Sequence, residues 1–336
     1  MNLNWESNFS PNFGLCSILP NSRRLQTGGG GYNKRLEVLV LFTSIIGQQS
    51  LKQQLERAAN AAKIRKTYFP HFCLSSGTGG TGKTMFINEI AKTLSVNIQT
   101  LGAVDTTPVD VANAMGMLPN NSIIFLEEWN ATNSKLDFFL RPFLENRLVC
   151  VNGVTYPSSY DYTIAIATNN ISCLSQPLKS RLRAFQMEDY TQDELILITQ
   201  MHSEILKLQL HSEIIHEVAN RSRGVPRNIV QILKSLLDEY TISNYVSKEK
   251  AISIMEELGI YEGGFDRLDL KIMSLLHQTN ELSLSALCGA TGESPETIRN
   301  HEAFLITQGM LTIKARRQLT NKGLEKMSLI DRNSSL

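Results

Sequence analysis

The eight residues GTGGTGKT, Gly77 to Thr84, constrain the fold more than any other stretch of the chain. They match G-x-x-x-x-G-K-[ST], a pattern in which each position has a physical task. Glycines let backbone N–H groups point inward around an anionic phosphate, and a helix opening at the end of the loop adds favourable partial charge. Lys83 is placed to neutralise terminal phosphates, and the Thr84 hydroxyl offers an oxygen to Mg²⁺. Such a loop works only between a strand and a helix. Both are predicted, since HFCLSS (71–76) reads as a buried strand and TMFINEIAKTL (84–94) as a helix. The candidate nucleotide-binding residues are therefore Gly77, Thr78, Gly79, Gly80, Thr81, Gly82, Lys83 and Thr84.

Two further strand ends carry polar residues that fit the same site. SIIFLEE (122–128) is an apolar run closing on Glu127 and Glu128. ATP-hydrolysing sites place a metal-holding Asp where Glu127 stands. The longer side chain sets its carboxylate one methylene further out, in a Mg²⁺ shell that tolerates little distortion. Glu128 is positioned to orient and activate an attacking water. YTIAIATNN (162–170) reads as a third strand, ending in Thr168 and Asn169. A polar side chain there reaches a γ-phosphate or the water, although TNN is equally good turn chemistry.

Along the chain these pieces fall into units. Residues 1–35 are rich in Asn, Ser and Gly and end near four consecutive glycines, Gly28 to Gly31, which read as a flexible arm. From 36 to 187, short apolar runs alternate with amphipathic stretches, the pattern of a parallel sheet covered by helices on both faces. From 188 to 260 the strand signal disappears and helical periodicity takes over, with TQDE and SKEK as capped helix starts. From 261 to 330 come a helix (266–278), a short helix (283–287), and a third opened by Ser294 and Pro295. GMLTIKARRQLT follows as strand, turn and strand, so this unit reads as a winged helix, with 331–336 as a tail.

Composition excludes several classes. With 336 residues, 42% apolar and 19% charged, the chain reads as an ordinary soluble protein of two or three packing units. Its net charge of +1 gives no global signal for nucleic acid. From residue 299 onward, however, seven Lys/Arg stand against three acids. Lys314, Arg316 and Arg317 of that basic patch fall on the wing, suited to phosphate contacts that position without reading sequence. The five cysteines (16, 73, 150, 173 and 288) form no C-x-x-C pair, so buried free thiols in a reducing compartment are expected. No run is long enough to span a bilayer and the first residues carry no signal-peptide pattern, so a cytoplasmic location with no membrane contact is expected.

In order, the chain carries IIGQ (45–48), the phosphate loop, the acidic strand end, the polar strand end, PLKSRLRAF (177–185) and RSRGVPRN (221–228). This order resembles AAA+ ATPases. Within that class, RSRGVPRN, GGFDRLDLKIM and GESPETIRNHEAFLITQGML resemble the RuvB family of Holliday-junction branch-migration motors, over 285 residues from Phe42 to Lys326. The resemblance implies an ATP-dependent DNA helicase that forms a homo-oligomeric ring, expected to be a hexamer. It implies that Arg181 acts as an arginine finger in a neighbouring subunit's ATP site. It places sensor 2 on Arg227, sensor 1 on Thr168 or Asn169, and Ile45 and Ile46 in the adenine pocket. The segment between RLVCVNG and YTIAIATNN is shorter than in RuvB. In the family that region contacts RuvA, so a RuvA-like partner is in question. Glu127 leaves two alternatives to a motor: a slowly hydrolysing, nucleotide-gated DNA-binding module, and a loader or remodeller of a protein partner.

Overall fold

The computed structural model describes residue 42 and residues 45–130, 134–151 and 153–333, with residues 331–333 described by backbone alone. The arm expected at 1–35 and residues 334–336 of the tail lie outside the described residues. The first unit runs α1 (Gln49–Arg65), β1 (Phe72–Ser75), α2 (Lys83–Leu94), β2 (Ile98–Gly102), α3 (Pro108–Met117) and β3 (Ile123–Glu127). It continues through α4 (Ser134–Asn146), β4 (Leu148–Val151), β5 (Val154–Pro157), β6 (Thr163–Thr168), α5 (Gln176–Lys179) and β7 (Arg183–Gln186). Five strands form one parallel sheet in the order β2-β3-β6-β1-β7, while β4 and β5 pair as a separate antiparallel hairpin.

The three central strands, β3, β6 and β1, are the ones legible as apolar runs. They are buried on both faces almost throughout, so every position must be apolar or small. On one face, Leu55 of α1 and Phe86 and Ile90 of α2 pack on Phe72 and Leu74. On the other, Val111 of α3 and Leu140 and Phe143 of α4 pack on Ile124, Ile164 and Ile166. The register aligns the strands' C-terminal ends, setting Ser75 beside Thr168 and Gly102 beside Glu127. In open parallel sheets, that edge is where ligands bind. Gln48 locks the entry of the unit to its exit: its amide donates to the Glu188 carbonyl (2.6 Å) and accepts from the Glu188 N–H (2.9 Å).

The second unit is all helical: α6 (Gln192–Ile205), α7 (Ser212–Arg221), α8 (Pro226–Ser243) and α9 (Lys248–Glu257). Thr191 and Ser247 cap α6 and α9 as the TQDE and SKEK starts predict. α6 ends before its apolar pattern does. It closes at Ile205 because Lys207 turns left-handed (φ 57°) and the Leu208 N–H returns to the Ser203 carbonyl (2.8 Å). Ile46, from the segment before α1, packs against this unit's core.

The third unit comprises α10 (Arg267–Thr279), β8 (Glu281–Leu282), α11 (Leu284–Thr291), α12 (Pro295–Thr307), β9 (Leu311–Ile313), β10 (Arg317–Leu319) and α13 (Asn321–Asn333). Ser294 caps α12 with Pro295 in the first turn. The expected strand–turn–strand is present, with β8 added as a third strand and α13 as a fourth helix. A polar cluster ties the second and third units. Arg223, between α7 and α8, pairs with Asp266 (2.5 Å) and Asp269 (3.2 Å) and lies over the Phe304 ring (3.9 Å). His301 of α12 meets the same Asp269 (2.7 Å).

The thiols divide. Cys73 is buried in β1 and its pKa is pushed up to about 12 by that burial. Cys150, expected to be buried, is exposed, because it faces outward on the two-stranded β4–β5 hairpin.

Candidate active site

The phosphate loop spans the gap between β1 and α2, and two of its glycines are required by geometry. Gly82 caps α2 at φ 104°, a conformation costly for any residue with a Cβ. Gly80, at φ 76°, lies against the second unit, where an added Cβ would come within 2.7 Å of the Arg227 Cβ and 2.9 Å of Val225. The Arg227 N–H donates to the Gly80 carbonyl (3.3 Å), so the start of α8 roofs the loop. Ser76 and Thr78 brace the loop's first turn, the Ser76 hydroxyl donating to the Thr78 carbonyl (2.5 Å).

Lys83 points back into the loop. Its ammonium donates to Ser76 Oγ (2.6 Å) and to Asn169 Oδ1 (2.7 Å). Burial, and then the Arg227 guanidinium, hold its pKa below the ordinary lysine value, with Glu127 opposing them. A dianionic phosphate beside it would relieve this destabilisation of the cation. One residue on, the Thr84 hydroxyl donates directly to Glu127 Oε1.

Glu127 ends β3, and its carbonyl accepts from the Ala103 N–H (2.8 Å). Glu128 then adopts a left-handed conformation (φ 58°) and is exposed to the cleft. A non-glycine residue there costs about 1–2 kcal/mol. The residues around it enforce it: the Trp129 N–H donates to the Ala167 carbonyl (2.9 Å), and the Thr168 hydroxyl donates to the Trp129 carbonyl (2.8 Å). The two polar residues at the end of β6 both line the cleft but are held differently. Thr168 is buried and braces the backbone beyond Glu128, whereas Asn169 reaches Lys83.

Lys83, Thr84, Glu127, Glu128, Asn169 and Arg227 thus share one cleft of about 610 Å³, within the range of small-molecule sites. A narrow apolar slot adjoins it, lined in part by Ile45 and Ile46. Two of its other walls were not anticipated. Tyr190 lines the slot and donates its hydroxyl to the Thr81 carbonyl (2.9 Å), and burial pushes its pKa up to about 12, so it stays a neutral phenol. His202 of α6 borders both slot and cleft. Glu296, in the first turn of α12, also lines the cleft. All three stand far from the loop in sequence, and only the folded second and third units bring them near.

Arg181 lies elsewhere, just beyond α5. Its guanidinium pairs with Glu145 of α4 (2.8 Å) and donates to the Pro177 carbonyl (2.6 Å). On the wing, Lys314 and Arg316 are exposed at the turn between β9 and β10, where the Lys314 N–H donates to the Arg316 carbonyl (3.1 Å). Arg316 also makes a loose exposed pair with Glu281 (3.3 Å). Arg317, grouped with them in the sequence reading, is placed differently. It grips the buried Glu302 of α12 with two nitrogens (2.7 and 3.3 Å) and is largely covered.

A phosphate loop on a parallel sheet, roofed by a helical lid that brings an arginine over it, is the arrangement of AAA+ P-loop proteins, and this chain is one of them. Three family models match it in succession from residue 40 to residue 328. The Holliday junction DNA helicase RuvB P-loop domain matches residues 40–190, the RuvB AAA lid domain 190–260, and the RuvB C-terminal winged helix domain 262–328. Among curated relatives, the Holliday junction branch migration complex subunit RuvB of Helicobacter acinonychis is 31% identical over 286 residues, covering 81% of this chain and 84% of the relative. That of Campylobacter hominis is 30% identical over 304 residues, covering 86% and 89%. The solved Thermotoga maritima RuvB Holliday junction branch migration motor superposes with a TM-score of 0.73 at 26% identity, covering 87% of this chain and 98% of that one. The chain belongs to the RuvB family.

Proposed function

We propose that this protein is an ATP-driven DNA motor acting on duplex or branched DNA, with ATP hydrolysed at the interfaces of a homo-oligomeric ring, six subunits being the expected number. The observation that carries this reading is the convergence of Lys83, the Thr84–Glu127 pair and Glu128 on one cleft. The bound chemistry follows from the residues present. Loop N–H groups and Lys83 take the β- and γ-phosphates, and Ile45, Ile46 and Tyr190 take the base. Thr84 and Glu127 fit Mg²⁺, because a hydroxyl and a carboxylate oxygen, both hard oxygen donors, are brought together at the phosphate end of the cleft. When bound, Mg²⁺ would neutralise charge developing on the phosphates.

Glu128 is the general base that orients the attacking water, its left-handed backbone turning the carboxylate into the cleft. Asn169 holds Lys83 and takes the sensor position, with Thr168 supporting it from below. Arg181 serves a neighbouring subunit. Its pair with Glu145 is a partly exposed one, the kind worth only about 0–1 kcal/mol, and is readily exchanged for a phosphate. Arg227 couples the phosphates to movement of the helical lid, since it sits where α8 meets Gly80. Lys314 and Arg316 contact the DNA backbone, and Arg317 holds the wing against α12.

The β4–β5 hairpin stands where the family carries its RuvA-contacting hairpin. Its two four-residue strands make it short, although Val154 and Tyr156 are exposed on it. A RuvA-like partner is therefore doubtful for this motor. No described helix is long and apolar enough to cross a membrane, and a cytoplasmic location is part of the proposal. The test is ATP turnover with and without four-way junction DNA, using Lys83→Ala as control. Turnover that does not depend on Lys83 sinks the reading. Glu127 supports one rival, a slowly hydrolysing nucleotide-gated module. A large gain in turnover for Glu127→Asp would favour that rival.

A further inference from the structure

We propose that His202 recognises the sugar of the bound nucleotide, taking a ribose hydroxyl and so favouring ribonucleotides over deoxyribonucleotides. The inference rests on the cleft being the ATP site, and it adds a specificity residue to that site. The apolar slot that suits a base and the cleft that suits phosphates are separate spaces that meet at Gly82, Met85, His202 and Pro226. In ATP the sugar joins base to phosphates, so it must lie at this junction. Of the four residues there, only His202 has a side chain that makes strong hydrogen bonds.

Its position follows from α6. Ile198 and His202 are four residues apart, hence on one face of the helix. Ile198 walls the slot, and the next turn carries the imidazole to the edge of the phosphate cleft. The ring is half-buried, and burial alone pushes its pKa down, with no charged group or hydrogen bond contributing. It is therefore neutral near pH 7, with one nitrogen able to donate and the other to accept, which matches hydroxyl groups that do both. The other polar groups of the slot are already engaged: the Tyr190 hydroxyl donates to Thr81, and the Thr81 hydroxyl lies against Met187 sulfur (3.6 Å).

The experiment is competitive binding to the full-length protein, with ATP, 2′-deoxy-ATP and 3′-deoxy-ATP each displacing a fluorescent ADP analogue. Wild type should prefer ATP over at least one deoxy analogue by about 3- to 10-fold, the value of one hydrogen bond. His202→Ala should bring that ratio close to one, and His202→Asn should restore part of it. Equal affinities in wild type overturn the proposal without any variant. So does a preference that survives in His202→Ala, or a loss in that variant that is equal for all three nucleotides. Failure of the underlying site would look different, since wild type would then bind none of them and Lys83→Ala would change nothing.

Discussion

Thr84 donates its hydroxyl directly to the carboxylate of Glu127, across the gap between the first turn of α2 and the end of β3. A shorter Asp at 127 would leave that gap to be filled by water or metal, whereas the extra methylene closes it in the protein itself. The long carboxylate is thus already beside the hydroxyl proposed to share Mg²⁺ with it. Glu127→Asp is therefore expected to change turnover by less than about threefold, while Glu127→Ala lowers it at least ~10-fold and raises the Mg²⁺ concentration needed for half-maximal rate. Magnesium titrations of steady-state ATPase rate would check both.

The two polar residues ending β6 should separate cleanly on mutation. Thr168→Val removes a buried hydroxyl that serves the Trp129 carbonyl and the Asn170 N–H, and should cost about 1–3 kcal/mol of stability. Asn169→Ala should leave the melting temperature nearly unchanged and lower turnover, because it strips Lys83 of a partner. Thermal melts and ATPase rates measured on the same samples would show whether the effects divide this way.

The wing arginines should behave unlike one another. Lys314→Ala and Arg316→Ala should weaken DNA binding across sequences, each reducing the slope of log affinity against log salt by about one. Arg317→Ala should instead destabilise the third unit by about 3 kcal/mol, since it strands the buried carboxylate of Glu302. Salt-dependent binding isotherms alongside denaturant melts distinguish the two behaviours.

The junction of second and third units should be sensitive to pH through His301. Its hydrogen bond to Asp269 raises its pKa above the ordinary 6.5, helped by the Asp266 and Asp269 charges and opposed by burial and Arg223. A raised folded-state value means the protonated ring stabilises the fold. That contribution is complete below about pH 6.5 and is lost as pH rises through the folded-state pKa. Melting temperature should fall across that window in wild type and flatten in His301→Gln, which a pH series of thermal melts would reveal.

How much of this was legible from residues alone follows a physical line. The phosphate loop, α2 and the three central strands were readable, since each is specified by its own local pattern. The edge strands β2 and β7 were not. IQTLG and RAFQ are only partly covered, so they never needed an apolar run. The helix α13 was hidden by its polar, glycine-containing sequence, although Met327 within it is buried in the third unit's core. In the site, Lys83, Thr84, Glu127 and Glu128 announced themselves by spacing from the loop. Tyr190, His202 and Glu296 did not, because their relation to the loop exists only once the lid and winged helix are packed. Arg317 shows the converse. A basic run predicts charge but not which charges already have partners, and Glu302 lies fifteen residues upstream on another element.

The most direct test of the motor reading is the steady-state rate of ATP hydrolysis by the full-length protein with Mg²⁺, measured with and without a four-way DNA junction, for wild type and Lys83→Ala. An ATP-driven DNA motor should show turnover that the junction stimulates and that Lys83→Ala abolishes. Absence of wild-type turnover, or turnover indifferent to Lys83, would contradict it.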